Sequence, residues 1–267
     1  MTRSPAIGAA ALALALGAAV LPSGAAAQAR PIPPDQVRSG VTFLAPDQRA
    51  LQQDAFGNPG LLWVERGERL WREPAGAGGK SCANCHGDGA ASMKGVAARY
   101  PVFDTKAGRL FNLEGRINEC RTAHQGATPF PYESEALLSL TAYVAHQSRG
   151  MPLAVAIDGP ARKHFESGEK LYTQRRGQLN LSCAQCHTDN WGRKLGPEPI
   201  SQGHPNAYPL YRLEWQTLGS LQRRFRSCLS GIRAEMLPYG SPEYLDLELY
   251  VAWRAAGLEI ETPGVRR

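Results

Sequence analysis

The chain has 267 residues, and its 30 basic and 24 acidic side chains give a formal net charge of +6. This length is enough for two small domains, and the apolar fraction is normal for a soluble globular protein. The arginines are spread along the chain and not gathered in one tail, which argues against a nucleic-acid-binding protein.

The first 29 residues have the composition of a secretory signal peptide. Arg3 is the only charged residue, residues 6–20 form an apolar run, and Ala25-Ala26-Ala27 supplies small residues for cleavage. This run is too short for a membrane span, and no later run could cross a bilayer. We therefore predict cleavage after Ala27 or Ala29. Loss of Arg3 then leaves a mature periplasmic chain of charge +5 without a membrane span.

A short helix is predicted over residues 63–71, and it leads into the sequence Cys82-Ala83-Asn84-Cys85-His86. The C-x-x-C-H pattern is the attachment signature of c-type haem. Two thiols one helical turn apart can reach both vinyl groups of the porphyrin, and the next residue puts an imidazole under the iron. A single match can arise by chance or in a redox site. A zinc site would need further ligands at regular spacing, and none follow.

The same pattern returns 101 residues later as Cys183-Ala184-Gln185-Cys186-His187, after a second predicted helix over residues 163–172. Beyond the motif the offset becomes 108, so that Cys120 matches Cys228, and further on it is 107. Two motifs within this register indicate two copies of one haem domain and two c-type haems. We predict an all-α fold of two tandem cytochrome c-like haem domains with an N-terminal extension. The extension and first domain take residues 30–155, and the second domain takes residues 156–267.

The change of offset from 101 to 108 places seven additional residues between His187 and Tyr208. We predict a loop near the second haem, which either shapes access to that haem or is a neutral surface insertion. We predict an amphipathic helix near the end of each copy. In the second copy Ser241 is its N-cap and Pro242 lies in its first turn. The cytochrome c plan is an analogy at the level of the fold.

Several side chains could bind the far side of each iron. Met236 lies in a Met-Leu-Pro segment like the one that supplies the axial methionine of small cytochromes c, but the first copy has no methionine there. Cys120 and Cys228 repeat in register. Two spare cysteines in an oxidising compartment can form a disulfide, yet equivalent residues meet only if the two copies pack head to head. We favour the hypothesis that each thiolate serves its own haem.

Four arginines lie near Cys228 in the sequence, namely Arg223, Arg224, Arg226 and Arg233. Positive charge lowers the pKa of a thiol and attracts anions, and the planar guanidinium group suits oxyanions. Cys228 is therefore the candidate reactive residue, and Cys120 is the candidate structural or electron-storing one. Alternatively, the arginines contact the haem propionates, which is a sufficient role for Arg116.

These motifs together resemble the SoxA family, the dihaem cytochrome subunits of the bacterial sulfur-oxidising (Sox) system. The resemblance covers nearly all of the mature sequence. It includes both C-x-x-C-H motifs, Cys120 and the segments 39–43, 58–64, 224–228, 238–244 and 261–267. Some members of the family lack the first haem motif, which this chain retains.

The resemblance implies a subunit of L-cysteine S-thiosulfotransferase that forms a heterodimer with a monohaem cytochrome c, SoxX. Such proteins couple thiosulfate oxidatively to a cysteine of the SoxYZ carrier, and two electrons leave for a soluble cytochrome c.

The resemblance also implies the role of each site residue. The haem groups would be attached through Cys82, Cys85, Cys183 and Cys186. The axial ligands would be His86 and Cys120 on haem 1, and His187 and Cys228 on haem 2. Cys228 would carry a persulfide intermediate, and Arg224 would hold the substrate anion.

Other functions also fit the motifs. The chain could be a purely electron-transferring dihaem cytochrome c, or a thiosulfate dehydrogenase that joins two thiosulfates into tetrathionate. A dihaem peroxidase fits less well, because it would need an open haem for peroxide.

Overall fold

The computed structural model describes residues 1–2 and 29–267. The predicted signal peptide, residues 1–29, therefore lies outside the described residues except at its two ends. No helix in the described part of the chain combines the length and apolar character needed to cross a membrane.

Helices dominate the described residues, as the sequence predicts. They are α1 (Pro46–Gln53), α2 (Leu61–Arg72), α3 (Cys82–His86), α4 (Gly89–Ser92), α5 (Leu113–Cys120), α6 (Glu135–His146), α7 (Arg162–Thr173), α8 (Cys183–His187), α9 (Leu221–Gly231) and α10 (Pro242–Arg254). Short 3-10 turns cover Pro34–Gln36, Gly40–Phe43, Ala97–Arg99 and Gly159–Ala161, and a π-helical turn covers Arg121–Gln125. The helices predicted over 63–71 and 163–172 are α2 and α7.

In each copy the first long helix crosses the last one at a glycine. A Cβ on Gly67 of α2 would lie 2.1 Å from the carbonyl oxygen of Ser139 in α6. A Cβ on Gly168 of α7 would lie 2.1 Å from the carbonyl oxygen of Asp246 in α10. The two helices can approach this closely only because neither glycine has a side chain.

Equivalent aromatic pairs fill the core beside these crossings. Trp71 packs against Tyr143 in the first copy, with ring centroids 5.8 Å apart. Tyr172 packs against Tyr250 in the second copy, at 5.1 Å. All four side chains are buried, and each core also takes hairpin residues of the other copy, Tyr211 and Leu218 in the first core and Leu110 in the second.

The chain also has short strands, which the sequence did not predict, and a hairpin of two of them precedes the helix that carries the third cysteine of each copy. They are β1 (Val102–Asp104), β2 (Arg109–Phe111), β3 (Lys194–Leu195), β4 (Glu198–Pro199), β5 (Leu210–Arg212), β6 (Thr217–Gly219) and β7 (Val265–Arg266). β1 pairs with β2 and β5 pairs with β6, both antiparallel and in the same register at an offset of 108 residues. β7 adds to β5 in parallel, and β3 and β4 form a hairpin within the inserted segment. α5 begins two residues after the end of β2, and α9 begins two residues after the end of β6.

The two copies pack against each other through equivalent residues. The rings of Tyr132 and Tyr239 stack with centroids 6.0 Å apart and planes 9° apart. A cavity of about 80 Å³ lies at the same contact, and its walls include the pairs Tyr100 with Tyr208, Pro101 with Pro209, Leu113 with Leu221, and Ala145 with Ala252. The copies therefore do meet head to head, which the sequence left open.

Candidate functional site

Each C-x-x-C-H motif forms a five-residue helix that starts at its first cysteine. In α8 the backbone N–H of Gln185 donates to Ser182 Oγ at 3.3 Å, and the backbone N–H of Ser182 donates to Gln185 Oε1 at 2.9 Å. Ser81 and Asn84 make the same reciprocal pair at α3. This capping box satisfies two otherwise free N–H groups and fixes the helical turn that spaces the two thiols.

All six cysteines are free thiols. Cys120 and Cys228 are thus unbridged although the two copies meet head to head. The disulfide alternative is not formed in this structure, and each thiol lies instead beside the motif of its own copy.

Cys228 lies close to both thiols of the second motif. Burial raises the pKa of Cys183 to about 11, and the negative charge of Cys228 adds to that rise. The pKa of Cys186 is raised by burial and then by Cys228. Three sulfur atoms and the imidazole of His187 are therefore grouped at one place.

The Cys228 thiol is set up to ionise near neutral pH. Burial raises its pKa, but the charge of Arg224, the neighbouring His187 and the charge of Arg212 together bring the pKa down to about 7. Positive charge beside a thiol stabilises the thiolate, which is both the nucleophile and the metal-binding form.

For Cys120 the effects of burial and charge sum to a raised pKa. Burial raises its pKa, and the charge of Glu119 opposes the lowering effect of Arg116. Cys120 is also near enough to the first motif to raise the pKa of Cys82, after the larger effect of burial. The two copies thus place a third cysteine in the same position but in environments of different charge.

The imidazole of His187 is held by the inserted segment. Its Nδ1–H donates to the carbonyl oxygen of Ser201 at 2.7 Å, and Gly203 lies so close that a Cβ would be 2.9 Å from the ring. Donation from Nδ1 leaves Nε2 with a free lone pair, which is the arrangement a metal-binding histidine needs. The second motif therefore fits a c-type haem, with two thiols on one edge and an oriented imidazole beside them. The segment between His187 and Tyr208 thus contacts the histidine through Ser201 and Gly203, while the strands of its hairpin, β3 and β4, are exposed.

His86 of the first motif is exposed, and its ring lies 5.7 Å from that of Trp71. The first motif has its capping box and free thiols, but no inserted segment covers its histidine. The two sites thus share their attachment chemistry and differ in how the histidine is supported.

Sequence reasoning missed Arg254 and Arg212. Arg254 is buried, and its Nη2 donates to the carbonyl oxygen of His187 and to Thr188 Oγ1, both at 3.2 Å, while Nη1 donates to Gln202 O at 3.0 Å. It ties the inserted segment to the motif helix. A signal for Arg212 exists in the repeat, since position 212 matches Asp104 at the offset of 108.

Of the four arginines predicted around Cys228, Arg224 alone contributes to its low pKa. Arg223 lies over the ring of Trp215 at 4.1 Å, and Arg226 lies over Tyr239 at 4.6 Å. Arg233 is exposed and reaches Gln178 at 3.5 Å. Arg223 and Arg226 are directed elsewhere because successive residues of α9 face different neighbours, and Arg233 lies beyond the end of that helix.

Met236, the alternative sulfur ligand, follows α9 on the surface and is 44 % exposed. Cys228 lies close enough to Cys183 and Cys186 for its charge to raise the pKa of both thiols. Within the described residues the sulfur grouped with the second motif is that of Cys228.

A family profile described as "SoxA/TsdA, cytochrome c domain" matches the chain twice, over residues 66–153 and 167–260. The chain is 44 % identical over 236 residues to the L-cysteine S-thiosulfotransferase subunit SoxA of Pseudaminobacter salicylatoxidans, covering 88 % of this chain and 82 % of the relative. It is 43 % identical over 232 residues to the subunit of the same name from Rhodovulum sulfidophilum, covering 87 % and 81 %. The fold is similar to that in the crystal structure of SoxXA from P. pantotrophus, with a TM-score of 0.84, 38 % identity, and coverage of 86 % of this chain and 87 % of the other.

Proposed function

The chain belongs to the SoxA family of cytochromes c, and from that premise we propose that it is the haem-bearing catalytic subunit of an L-cysteine S-thiosulfotransferase. Its substrates are thiosulfate and a cysteine thiol on a carrier of the SoxYZ type. Its partner is a SoxX-type monohaem cytochrome c, as the name of the similar SoxXA structure suggests. It works in the periplasm after removal of the signal peptide.

The reaction joins two reduced sulfurs and must release electrons. A carrier thiol and the thiosulfate dianion give a carrier S-thiosulfonate anion, one proton and two electrons. Charge and atoms balance, and two molecules of a soluble cytochrome c take the electrons.

We assign the second motif as the active site. Cys183 and Cys186 would attach haem 2, with His187 and Cys228 as axial ligands. When bound there, the haem supplies an electron acceptor beside the reacting sulfur. By analogy Cys82 and Cys85 would attach haem 1, and His86 and Cys120 would hold its iron. We propose domain boundaries at 30–155 and 156–267.

Cys228 is the reactive group. Its thiolate forms an S–S bond with the outer sulfur of thiosulfate as two electrons leave, and the carrier thiolate then attacks that outer sulfur. The second step breaks the bond to Cys228 and regenerates the thiolate. If Cys228 carries a persulfide, the outer sulfur of that persulfide forms the bond to thiosulfate in the same way. The resulting row of sulfur atoms is then one atom longer.

Arg224 holds the anion during this step. Its charge lowers the pKa of Cys228, so the two groups are close, and a dianion approaching a thiolate needs a cation there. The observation that carries the proposal is this grouping of Cys228, His187 and Arg224, with a thiol pKa of about 7.

The test replaces Cys228 by Ser in the complex with its SoxX-type partner and compares it with Cys120→Ser. Thiosulfate-dependent reduction of cytochrome c is measured with and without a carrier thiol. We expect Cys228→Ser to lose turnover and keep both haems attached, while Cys120→Ser keeps most of the rate. A Cys228→Ser complex with the wild-type rate contradicts the assignment. Tetrathionate formed at full rate without carrier would instead identify a thiosulfate dehydrogenase.

A further inference from the structure

One position in the repeat reverses its charge between the two copies. Asp104 ends β1 and pairs with Arg109 of β2, while Arg212 ends β5 and pairs with Thr217 of β6. Both pairings keep the offset of 108 residues, so Asp104 and Arg212 occupy the same place in their hairpins. The arginine four residues before the third cysteine, Arg116 or Arg224, keeps that offset too.

In the first copy Arg116 already has partners within the protein. Asp104 Oδ2 accepts from Arg116 Nη2 at 2.5 Å, and the guanidinium lies over the ring of Phe111 with its centre 4.1 Å away. Two backbone N–H groups and Arg116 hold the pKa of Asp104 at about 2. Arg116 is thus neutralised within the protein and is not free to bind an added anion.

In the second copy both of those partners are replaced. Arg212 stands where the carboxylate stands in the first copy, and Gly219 stands where Phe111 does. Among the described residues Arg224 makes no ion pair, and its Nη1 reaches only Ser227 Oγ at 3.5 Å. The repeat therefore has two arginines, Arg212 and Arg224, at the two positions that form an internal ion pair in the first copy.

Arg212 has N–H groups that are only weakly paired or have no partner among the described residues. Its Nη2 pairs with Glu214 at 3.1 Å, and that carboxylate is 59 % exposed, so the pair is weak and easily exchanged. Its Nε is buried without a hydrogen-bond partner in the described part of the chain. A buried unpaired donor is costly, and an anion that accepts from it removes that cost.

We propose that Arg212 is a second anion-binding residue of the catalytic copy, which holds the sulfonate end of thiosulfate together with Arg224. The inference rests on the proposed function, because it names the groups that select the substrate at that site. The second copy has Arg212 where the first has Asp104, so its two arginines are available to bind a dianion. In the first copy Asp104 pairs with Arg116, and that arginine is not available.

The competing role for Arg212 is contact with a haem propionate. That role predicts loss of haem or a changed haem spectrum when the side chain is replaced, with little effect on anion affinity. The substrate role predicts the reverse, an increase in the KM for thiosulfate with the haem spectrum preserved.

The experiment uses the complex with the SoxX-type partner and the variants Arg212→Gln, Arg212→Lys and Arg212→Asp. We expect Gln to raise the KM for thiosulfate about tenfold with a smaller change in kcat, since one charge-assisted contact is lost. Lys should restore most of the affinity. Asp should raise the KM on the order of a hundredfold, because it recreates the ion pair of the first copy and occupies Arg224. Arg69→Asp, an exposed residue of α2, is the control for the same charge change.

Binding is measured separately from turnover. Equilibrium dialysis of radiolabelled thiosulfate against the Cys228→Ser complex, with and without Arg212→Gln, reports anion affinity without reaction. The inference is overturned if Arg212→Gln leaves both the thiosulfate affinity and the KM unchanged. It is also overturned if Arg212→Gln loses haem and keeps its thiosulfate affinity. If Cys228→Ser remains active while Arg212→Gln weakens dialysis binding, the proposed chemistry fails and the anion site stands.

Discussion

Tyr132 and Tyr239, which occupy equivalent positions in the two copies, stack on each other with ring planes only 9° apart. Gly240 supports this contact, because a Cβ there would lie 2.9 Å from the Tyr132 ring. The stacked pair therefore joins equivalent positions of the two copies directly. Stability of the whole chain should depend on it.

We expect Tyr132→Leu and Tyr239→Leu each to destabilise the protein, and a double-mutant cycle to give a coupling of about 0.5–1.5 kcal/mol. The measurement is urea unfolding followed by the haem absorption band. Pairing Tyr239→Leu with Phe56→Leu, where Phe56 is fully exposed, should give additive effects. A Tyr132/Tyr239 cycle that is also additive means that the stack contributes nothing to holding the copies together.

Two buried carboxyl groups at the contact between the copies make stability depend on pH. Burial raises the pKa of Glu114 to about 7, and the charge of Glu133 contributes in the same direction. Burial and then the charge of Glu114 raise the pKa of Glu248, which accepts from Gln222 Nε2 at 2.7 Å. In the folded state these groups bind protons more strongly than in the unfolded state, so stability is present at low pH and is lost as the pH rises.

Glu114→Gln should therefore stabilise the protein above pH 7 by an amount on the order of 2 kcal/mol, and should have little effect at pH 4.5. The unfolding midpoint in urea is compared at pH 5 and pH 8 for both proteins. Glu65→Gln, on the exposed face of α2, controls for loss of one carboxylate. A wild-type protein that gains stability between pH 5 and pH 8 relative to Glu114→Gln contradicts the assigned direction.

The helix crossing in the second copy gives a further test. Gly168→Ala places a methyl group 2.1 Å from the carbonyl oxygen of Asp246, and the crowded helices must separate. We expect a loss on the order of 3 kcal/mol, near the upper end for overpacking. Gly231→Ala is the matched control, because a Cβ there meets no atom within 4 Å. Equal thermal midpoints for the two variants would mean that α7 and α10 tolerate a wider spacing.

The sequence predicted the features that repeat locally. The motif helices, α2, α7 and the Ser241 cap follow from short patterns, and the register of 101 and 108 residues identifies two copies. The stack of Tyr132 on Tyr239 was not predictable, because the packing of one copy on the other depends on contacts far apart in sequence. Arg212 and Arg254 were missed for a related reason. Both act through neighbours that a strand pair or the inserted segment brings to them, and no local pattern marks them.

The support of His187 by the inserted segment gives the last prediction. Gly203 has φ of +71°, and a Cβ there would lie 2.9 Å from the His187 ring, so Gly203→Ala displaces either the ring or the segment. We expect the second haem site to exchange its ligands more readily, which imidazole titration followed by electron paramagnetic resonance measures, while the first site is unchanged. Gly192→Ala, at φ of +83° in the same segment with no atom within 4 Å, carries a similar backbone penalty without the contact. If both variants loosen the second site equally, backbone strain in the segment is the cause and contact with the ring is not. If Gly203→Ala alone does so, the contact of Gly203 with the ring is what orients the histidine, a support that the exposed His86 lacks.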